Sequence, residues 1–489
     1  MRLSPELNGT WVAEMRTKMA VRIIISTNAD ETRMGLVKDN ILTEYMVERS
    51  GQQPLVGSIF LGKVSNVVRG IQAAFIDIGL EQNAFFYMGD HKDVTEGESL
   101  MVQIVKDARG SKGPTAVKEI TLPGKYLVLM PLASHIGISK KITDKEERER
   151  LLKICGEHRP ENMGIVIRTA ATGISSELLK QDIDELAADW RILEARCRLT
   201  KKPGLLRREL DLTIRIVRDY LSTELSEIIT DSEQVCRRLQ ELFTELPAER
   251  RINIVRYDRS EDIFSYYGYD EDIAGISDRT VSLPSGGYLV FDNTEAMTVI
   301  DVNSGSFRGR ENLEETAMQI NREAAVMIAR QLRLRDIGGI IIVDFIDMHT
   351  EEHKKEILTL LESSFIGDRM KPKIQDITVL NLVEITRRKS RHNLSSVLYS
   401  PCPVCNGSGR VQSRESLALE IKNRLRILLK QRSSSKKFLV VANPWLAEWL
   451  RENDCRAWER ELGCELNFSS DASLQPESFM LLDNTAVDK

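Results

Sequence analysis

Two short runs hold the side chains that could do chemistry in this chain. Residues 296–305 read AMTVIDVNSG and residues 338–348 read GGIIIVDFIDM. Each is an apolar, β-branched run that ends in acid, the pattern of a buried strand. A carboxylate inside such a run is costly unless it is paired or holds a metal. Side chains two apart on a strand share a face, so Asp301 and Asn303 point the same way, with Met297 and Val299 behind them. If the second strand lies alongside, Asp344 meets Asp301. Two carboxylates at strand ends, with an amide to orient one of them, suit Mg²⁺, which takes one or two carboxylates and keeps several waters. The alternative for either Asp alone is a strand-end carboxylate that caps a loop; the pair is more specific. Asp347 has the opposite strand parity to Asp344 and is not expected to be a ligand. Six His are scattered with no spacing that supports a Cys–His or Ser–His–Asp arrangement.

A second metal candidate stands in PCPVCNGSGR, residues 401–410. Cys402 and Cys405 are two thiolates in a Cys-x-x-Cys, followed by Gly407 and Gly409, which let backbone amides face sulfur; this is a zinc knuckle. A structural zinc needs four ligands, and the chain has a single such pair. A redox pair, or a site completed by Cys455 and Cys464, are the alternatives. Basic residues cluster in three places: Arg196, Arg198, Lys201, Lys202, Arg207 and Arg208; then Arg369, Lys371 and Lys373; then Arg387, Arg388, Lys389 and Arg391. The first group reads best as a solvated helix face. The third follows the strand-like run VLNLVEIT and is better placed to hold phosphates.

The elements that must position these groups fill a chain of 489 residues, long enough for several domains. With 42% hydrophobic and 29% charged residues the composition is globular, and a net charge of −5 does not by itself announce a nucleic-acid binder. Seven cysteines, odd in number and scattered, exclude a secreted disulfide framework. No signal peptide and no apolar stretch of membrane-spanning length is found, so a cytoplasmic protein without a membrane partner is expected. Residues 1–20 show no clear period and read as an N-terminal extension. From Gly57, short strands alternate with glycine turns and predict a small β-barrel closing near residues 102–107, with KDARGSKG as a loop. LPGKYLVLMP (122–131) reads as a strand, 144–155 as a charged helix and GIVIRTAA (164–171) as a strand. Residues 175–200 read as a helix whose Leu178, Leu179, Ile183, Leu186, Trp190 and Leu193 mark one face. A further helical region is expected over 211–246. YLVFDNTEAMTVIDVNSG reads as a hairpin with Asn293 and Thr294 in its turn. A long helix over 312–335, ended by Gly338 and Gly339, then delivers the chain to the Asp344 strand. The order hairpin, helix, strand, helix, strand is an α/β layer. After the knuckle come a helix, the strand KFLVVAN and another helix.

AMTVIDVNSG, RQLRLRDIGGIIIVDFIDM and CPVCNGSG together resemble the ribonuclease E/G family of bacterial endoribonucleases, from about Val21 to the end of the chain. The chain stops after a small terminal segment without a long disordered scaffold, so the resemblance is to the shorter, G-type branch. It implies a multidomain α/β fold: an RNase H-like domain (21–54 and 216–278) interrupted by an S1 domain (55–119), an OB-fold β-barrel, and a 5′-sensor region (120–215). A DNase I-like catalytic domain (279–399), a zinc link (400–411) and a small C-terminal domain (412–489) follow. Asp301 and Asp344 would bind one Mg²⁺, with Asn303 orienting Asp301. Two chains would share one Zn²⁺ through Cys402 and Cys405, giving a homodimer and, beyond it, a homotetramer.

The resemblance also assigns contacts. GKVSNVVRGIQAAFIDIG is similar to an S1 domain that binds single-stranded RNA, with Phe75 and Phe85 offering rings to bases and Lys112 touching RNA. Filling the barrel core is the alternative for either Phe. After Lys112 and Gly113 the family continues Ala-Arg-Leu-Thr, whereas this chain has Pro114, Thr115, Ala116 and Val117, so an expected arginine is missing. A 5′-monophosphate would be held by Arg168 and Thr169, with Gly124 and Val128 on the neighbouring strand. A surface salt bridge is the alternative for Arg168. The further supporting position, usually Arg, is Lys371, which keeps the charge and loses the bidentate fork. The implied activity is Mg²⁺-dependent cleavage of A/U-rich single-stranded RNA to 5′-phosphate and 3′-hydroxyl ends, in the maturation of 16S ribosomal RNA and the decay of mRNA. A non-catalytic RNA-binding scaffold and a zinc-stabilised DNA nuclease are the competing classes. The intact Asp301, Asn303 and Asp344 favour the enzyme, and the barrel favours RNA.

Overall fold

The computed structural model describes residues 21–50, 55–89, 93–108, 112–209, 212–220, 225–243, 252–306, 313–378, 380–388, 394–431, 437–453 and 456–483. Residues 1–20, Lys389, Arg391 and Cys455 lie outside the described residues. The chain divides into two compact units, one up to Leu398 and one from Tyr399.

The first sheet of the larger unit is drawn from two distant parts of the chain. Its strand order is Asn253–Arg256, Leu225–Thr230, Val21–Thr27, Glu31–Lys38, Ile41–Arg49. Val21–Thr27 runs parallel to Leu225–Thr230 on one side and antiparallel to Glu31–Lys38 on the other. Ile23, Ile24 and Ile25 are all fully buried, as the continuous apolar run requires of a strand covered on both faces. The expected helix over 211–246 is corrected here. It is a helix (Leu212–Tyr220), a strand (Leu225–Thr230) and a second helix (Glu233–Phe243). Six residues, LSEIIT, are too few for periodicity to separate strand from helix; the parallel neighbour decides.

Between the halves of that sheet lie two further layers. Ile59–Val68, Ala73–Asp77, Ala84–Tyr87, Thr115–Val117 and Ser99–Lys106 form the expected barrel, which closes by pairing of Ile59–Val68 with Ser99–Lys106. Its interior is filled by Val64, Ala74, Ile76, Phe86, Val102 and Ile104. The next layer is a four-stranded sheet backed by the helices Lys145–His158 and Ser176–Leu199. LPGKYLVLMP is not one strand but a hairpin, Leu122–Pro123 against Leu127–Met130, closed by Gly124 N–H donating to the Leu127 carbonyl at 2.8 Å. The Pro-Gly pair sets that turn.

The last sheet of this unit has the order Thr280–Ser282, Tyr288–Asn293, Met297–Asn303, Gly339–Asp344, Leu382–Arg387, Lys373–Ile374. The hairpin, helix (Leu313–Leu334), strand, helix (Glu351–Ser364), strand order follows the sequence pattern. Both helices pack on one face, where Ile300, Val302, Ile341, Val343 and Ile385 meet Ala324, Ile328, Leu332, Ile357 and Leu361. Period two then sends Val299, Asp301 and Asn303 to the opposite face.

The smaller unit is a three-stranded sheet, Glu465–Ser470, Lys437–Ala442, Phe479–Asp483, with helices Arg414–Gln431, Pro444–Glu452 and Arg456–Leu462. No helix among the described residues is long and apolar enough to cross a membrane.

Candidate functional site

Met297–Asn303 and Gly339–Asp344 are parallel neighbours, and their register places Asp301 directly beside Asp344. Paired residues of one rung share a face, so both carboxylates stand side by side on the helix-free side of the sheet, exposed toward the C-terminal ends of its two central strands. Asn303 donates its amide Nδ2 to Asp301 Oδ2 at 2.7 Å. One oxygen of Asp301 is thereby fixed. Burial, the facing Asp301 and the nearby Asp347 hold the Asp344 carboxyl above the usual carboxylate range. Among the described residues no three His, Cys, Asp or Glu side chains gather as a metal-binding group. Two adjacent, solvent-reaching carboxylates fit a cation that takes few protein oxygens and completes its shell with water and phosphate, which is the habit of Mg²⁺. Asp347 lies past the end of the strand, where parity no longer governs direction; its Oδ1 accepts the Asn381 amide at 3.2 Å.

Arg168 and Gly124 come together in the layer that follows the barrel. The Arg168 guanidinium donates to the Gly124 carbonyl at 3.0 Å and reaches the Arg218 carbonyl at 3.5 Å. Thr169 opens a short 3₁₀ turn, and its hydroxyl meets the Ser139 hydroxyl at 3.0 Å. Val128 pairs with Val166 and Pro123 beside them. The turn carrying Gly124 is held by Asp182, which sequence reasoning missed. Its buried carboxylate accepts the backbone N–H groups of Lys125, Tyr126 and Leu127 at 3.1, 2.9 and 3.2 Å. Burial lifts the Asp182 carboxyl above its usual range despite those three donors. A Cβ on Gly124 would lie 2.6 and 2.7 Å from the Asp182 oxygens, so only glycine lets carboxylate and turn approach. The signal was in the sequence: an acid placed between Leu179, Ile183 and Leu186 on the apolar helix face.

Lys371 belongs to a different element. It is exposed, in the left-handed region (φ 47°), with its N–H donating to the Asp368 carbonyl. It is linked to the Arg168 region through Arg369, whose guanidinium stacks 4.6 Å from the Tyr220 ring on the helix that offers the Arg218 carbonyl.

Around Arg369 is a buried ionic junction. Glu44 accepts from Arg333 at 2.8 Å, Arg369 at 3.1 Å and the Tyr220 hydroxyl at 2.6 Å. Burial acts to raise the Glu44 carboxyl, but Arg369 and Arg333 beside it, with the Tyr220 hydroxyl, hold it down to about 2. Arg387 is corrected as a candidate phosphate ligand. It is 4% exposed and clamps Asp368 through Nε at 2.8 Å and Nη2 at 3.2 Å. Its strand is antiparallel to the Asp344 strand, and Arg387 pairs with Gly339, at the far end from the carboxylates. In the first basic group, Arg196 donates to the Leu206 carbonyl and Arg207 pairs with Asp189.

On the barrel, Phe75 and Phe85 are cross-strand partners whose rings meet edge to face, with centroids 6.0 Å apart. Both are half-buried and neither belongs to the barrel core, which Ile76 and Phe86 fill from the other face. Lys112 is exposed. A Cβ on the adjacent Gly113 would lie 2.0 Å from the Asn83 carbonyl oxygen, so this segment is pressed against the strand that carries Phe85. Thr115, the second residue after Gly113, pairs with Phe85.

In the smaller unit the knuckle has the geometry its glycines suggest. Gly409 N–H points to Cys405 Sγ at 3.4 Å. The amides of Gly409 and Gly407 hold the Cys405 thiol below its usual range. Gly407 and Gly409 sit at φ 87° and 68°, where other residues are strained. These donors fit two thiolate ligands of a zinc ion. Cys464 is buried in the hydrophobic core of the same unit, and burial raises its thiol, which is the environment of a structural cysteine rather than a ligand.

Comparison with known proteins finds the "Ribonuclease E/G family" model matching residues 121–390. Ribonuclease G of Salmonella typhimurium is 38% identical over 460 residues, covering 90% of this chain and 94% of that protein. Ribonuclease G of Haemophilus influenzae is 39% identical over 453 residues, 88% of this chain and 92% of that one. Ribonuclease E of Synechocystis sp. is 36% identical over 391 residues, 76% of this chain and 58% of that protein.

Proposed function

The chain belongs to the ribonuclease E/G family and is a ribonuclease, and we propose that it is a Mg²⁺-dependent endoribonuclease acting on A/U-rich single-stranded RNA. The observation that carries this reading is the Asp301–Asp344 rung with Asn303 bonded to Asp301 on the helix-free face of its sheet. Asp301 and Asp344 would hold the cation, and Asn303 would keep Asp301 from rotating away from it. A Mg²⁺ held there would supply Lewis-acid polarisation of a phosphoryl oxygen and a more acidic water as the nucleophile toward the phosphodiester. The products carry 5′-phosphate and 3′-hydroxyl ends. The exposed rung leaves room for a strand of RNA to lie across the two carboxylates, which a buried site would not.

The remaining sites deliver that strand. Phe75 and Phe85 stack bases, and Lys112 takes a neighbouring phosphate. Arg168, with Thr169, Gly124 and Val128, receives a 5′-monophosphate: the Gly124 carbonyl orients a guanidinium able to grip phosphate in a fork. Lys371 adds charge without the fork, so the preference for 5′-monophosphate is weaker than with arginine there. Cys402 and Cys405 of two chains share one Zn²⁺, joining an RNase H-like domain, S1 barrel, 5′-sensor and DNase I-like catalytic domain into homodimers, which can pair as tetramers. Precursors of ribosomal RNA and mRNA in decay are the substrates this assembly serves.

The deciding experiment is cleavage of one short A/U-rich RNA bearing either a 5′-monophosphate or a 5′-triphosphate, with and without Mg²⁺, by wild type and Asp301→Asn. Wild type cuts only with Mg²⁺ and prefers the monophosphate; Asp301→Asn binds RNA and does not cut. Wild type that binds RNA and never cuts it with Mg²⁺ present would instead be a scaffold. A matched DNA oligomer tests the choice of RNA.

A further inference from the structure

Tyr87 is one of the most exposed large side chains in the larger unit, 60% accessible, and nothing in the preceding sites uses it. It lies two residues beyond Phe85 on the Ala84–Tyr87 strand, so both rings project from the outer face of the barrel, roughly 6.5 Å apart along the strand. Phe75 stands opposite Phe85, and across from Tyr87 is Ala73, whose methyl group offers no second ring to cover it. Past the strand end Gly89 turns at φ 46°, and a Cβ there would lie in ordinary contact with the ring, 3.4 Å from Tyr87 Cε1, so glycine leaves that part of the ring open. The Tyr87 hydroxyl donates to Gln72 Oε1 at 3.2 Å, and Gln72 is itself fixed in a left-handed turn at φ 50°. A lone exposed aromatic is ordinary on a protein surface; what sets Tyr87 apart is its place on one strand face with Phe85 and, across from Phe85, Phe75. Here one polar bond anchors the ring from behind, and its apolar surface continues a line of aromatics.

We propose that Tyr87 and Gln72 form a third base subsite on the barrel, one nucleotide beyond the Phe75–Phe85 pair, in which the ring stacks the base and the Gln72 amide bonds its edge. The subsite rests on the reading of that face as the RNA surface. Stacking on a ring tolerates any base; an amide with a donor and an acceptor discriminates among base edges. Tyr87 therefore adds affinity and Gln72 adds preference at that position. The register also gives the track a direction: from Phe75–Phe85, level with Thr115 on the parallel neighbour, the strand passes toward the turn at residues 69–72.

The test is fluorescence anisotropy with 5′-labelled RNA oligomers of increasing length, on the full chain carrying Asp301→Asn to prevent cleavage. Tyr87→Ala, Tyr87→Phe, Gln72→Ala and Phe85→Ala are compared on that background. Tyr87→Ala is expected to weaken binding roughly 5- to 20-fold, the lower part of the range for one stacked base at an exposed site. The loss appears only for oligomers long enough to reach the subsite. Tyr87→Phe keeps stacking and stays within about twofold of the parent. Gln72→Ala changes the order of preference among A, C, G and U at one position. If Phe85→Ala weakens binding and Tyr87→Ala does not at any length, the third subsite is overturned while the barrel reading stands. If neither variant weakens binding, the RNA surface lies elsewhere and both fall together.

Discussion

Asn303→Ala removes one bond whose worth can be worked out. Asn303 Nδ2 donates to Asp301 Oδ2 at 2.7 Å, a charge-assisted hydrogen bond. Such bonds contribute about 1.5–3 kcal/mol. Asp301 is exposed, so water replaces part of what is lost and the lower end applies. At 1.36 kcal/mol per tenfold, that is roughly a 10-fold effect. What the bond supplies is orientation: without it Asp301 must be ordered by the cation itself. The Mg²⁺ concentration for half-maximal cleavage should therefore rise about 10-fold, with most of the rate recovered at saturating Mg²⁺ and the KM for RNA unchanged. Single-turnover cleavage across a Mg²⁺ titration reads this directly. A raised RNA KM with an unmoved Mg²⁺ midpoint would mean that Asn303 contacts substrate. A loss as complete as that of Asp301→Asn would mean that Asn303 is itself a ligand. Either result refutes the orienting role.

Glu44→Gln leaves Arg333 and Arg369 buried without their carboxylate and should cost about 3–5 kcal/mol of stability at neutral pH. Because the Glu44 carboxyl is held down to about 2, its contribution is present above the ordinary glutamate pKa and is lost as pH falls toward 2; it amounts to about 3 kcal/mol. Urea denaturation at pH 7 and pH 3 should show wild type losing about 2 kcal/mol of that increment, the rest going only below pH 3, and Glu44→Gln having none to lose; parallel pH dependences would refute it. Gly124→Ala drives a methyl group into the Asp182 carboxylate and displaces the carbonyl that orients Arg168. The ratio of cleavage rates for 5′-monophosphate over 5′-triphosphate RNA should fall toward one, with the triphosphate rate unchanged. Cys402→Ser should abolish zinc retention and convert dimers to monomers in sedimentation; one zinc per chain kept in a wild-type monomer would show that the ion is not shared.

The carboxylate rung was legible because it depends on local period: in AMTVIDVNSG every second residue faces one way, and the acid and the amide fall on that face. What period cannot give is strand direction. Its position after an apolar run makes Arg387 read as a phosphate holder; the antiparallel pairing carries it to the end of the sheet away from the carboxylates, onto Asp368. LSEIIT was hidden for a similar reason, since its strand character comes from Val21–Thr27, far away in sequence. Asp182 and Glu44 are acids in otherwise apolar patterns and could have been flagged as paired, but their partners, a backbone turn and two distant arginines, have no sequence signature. The barrel and the knuckle were the most readable parts, because glycines and alternation are both local.

The divided first sheet has a consequence for synthesis. Val21–Thr27 leaves the ribosome early, yet the carboxylate that receives the Thr27 N–H is Asp231, 204 residues later. At about 5–20 residues per second, an apolar strand and its unpaired edge wait roughly 10–40 s for that neighbour. Glu44 waits longer still, for arginines 289 and 325 positions downstream. The barrel is contiguous and needs no such delay. It should fold first, on a nascent chain whose preceding strands can pair with each other but still lack Leu225–Thr230, so the early hazard of this molecule is aggregation through the open side of Val21–Thr27 rather than slow barrel formation.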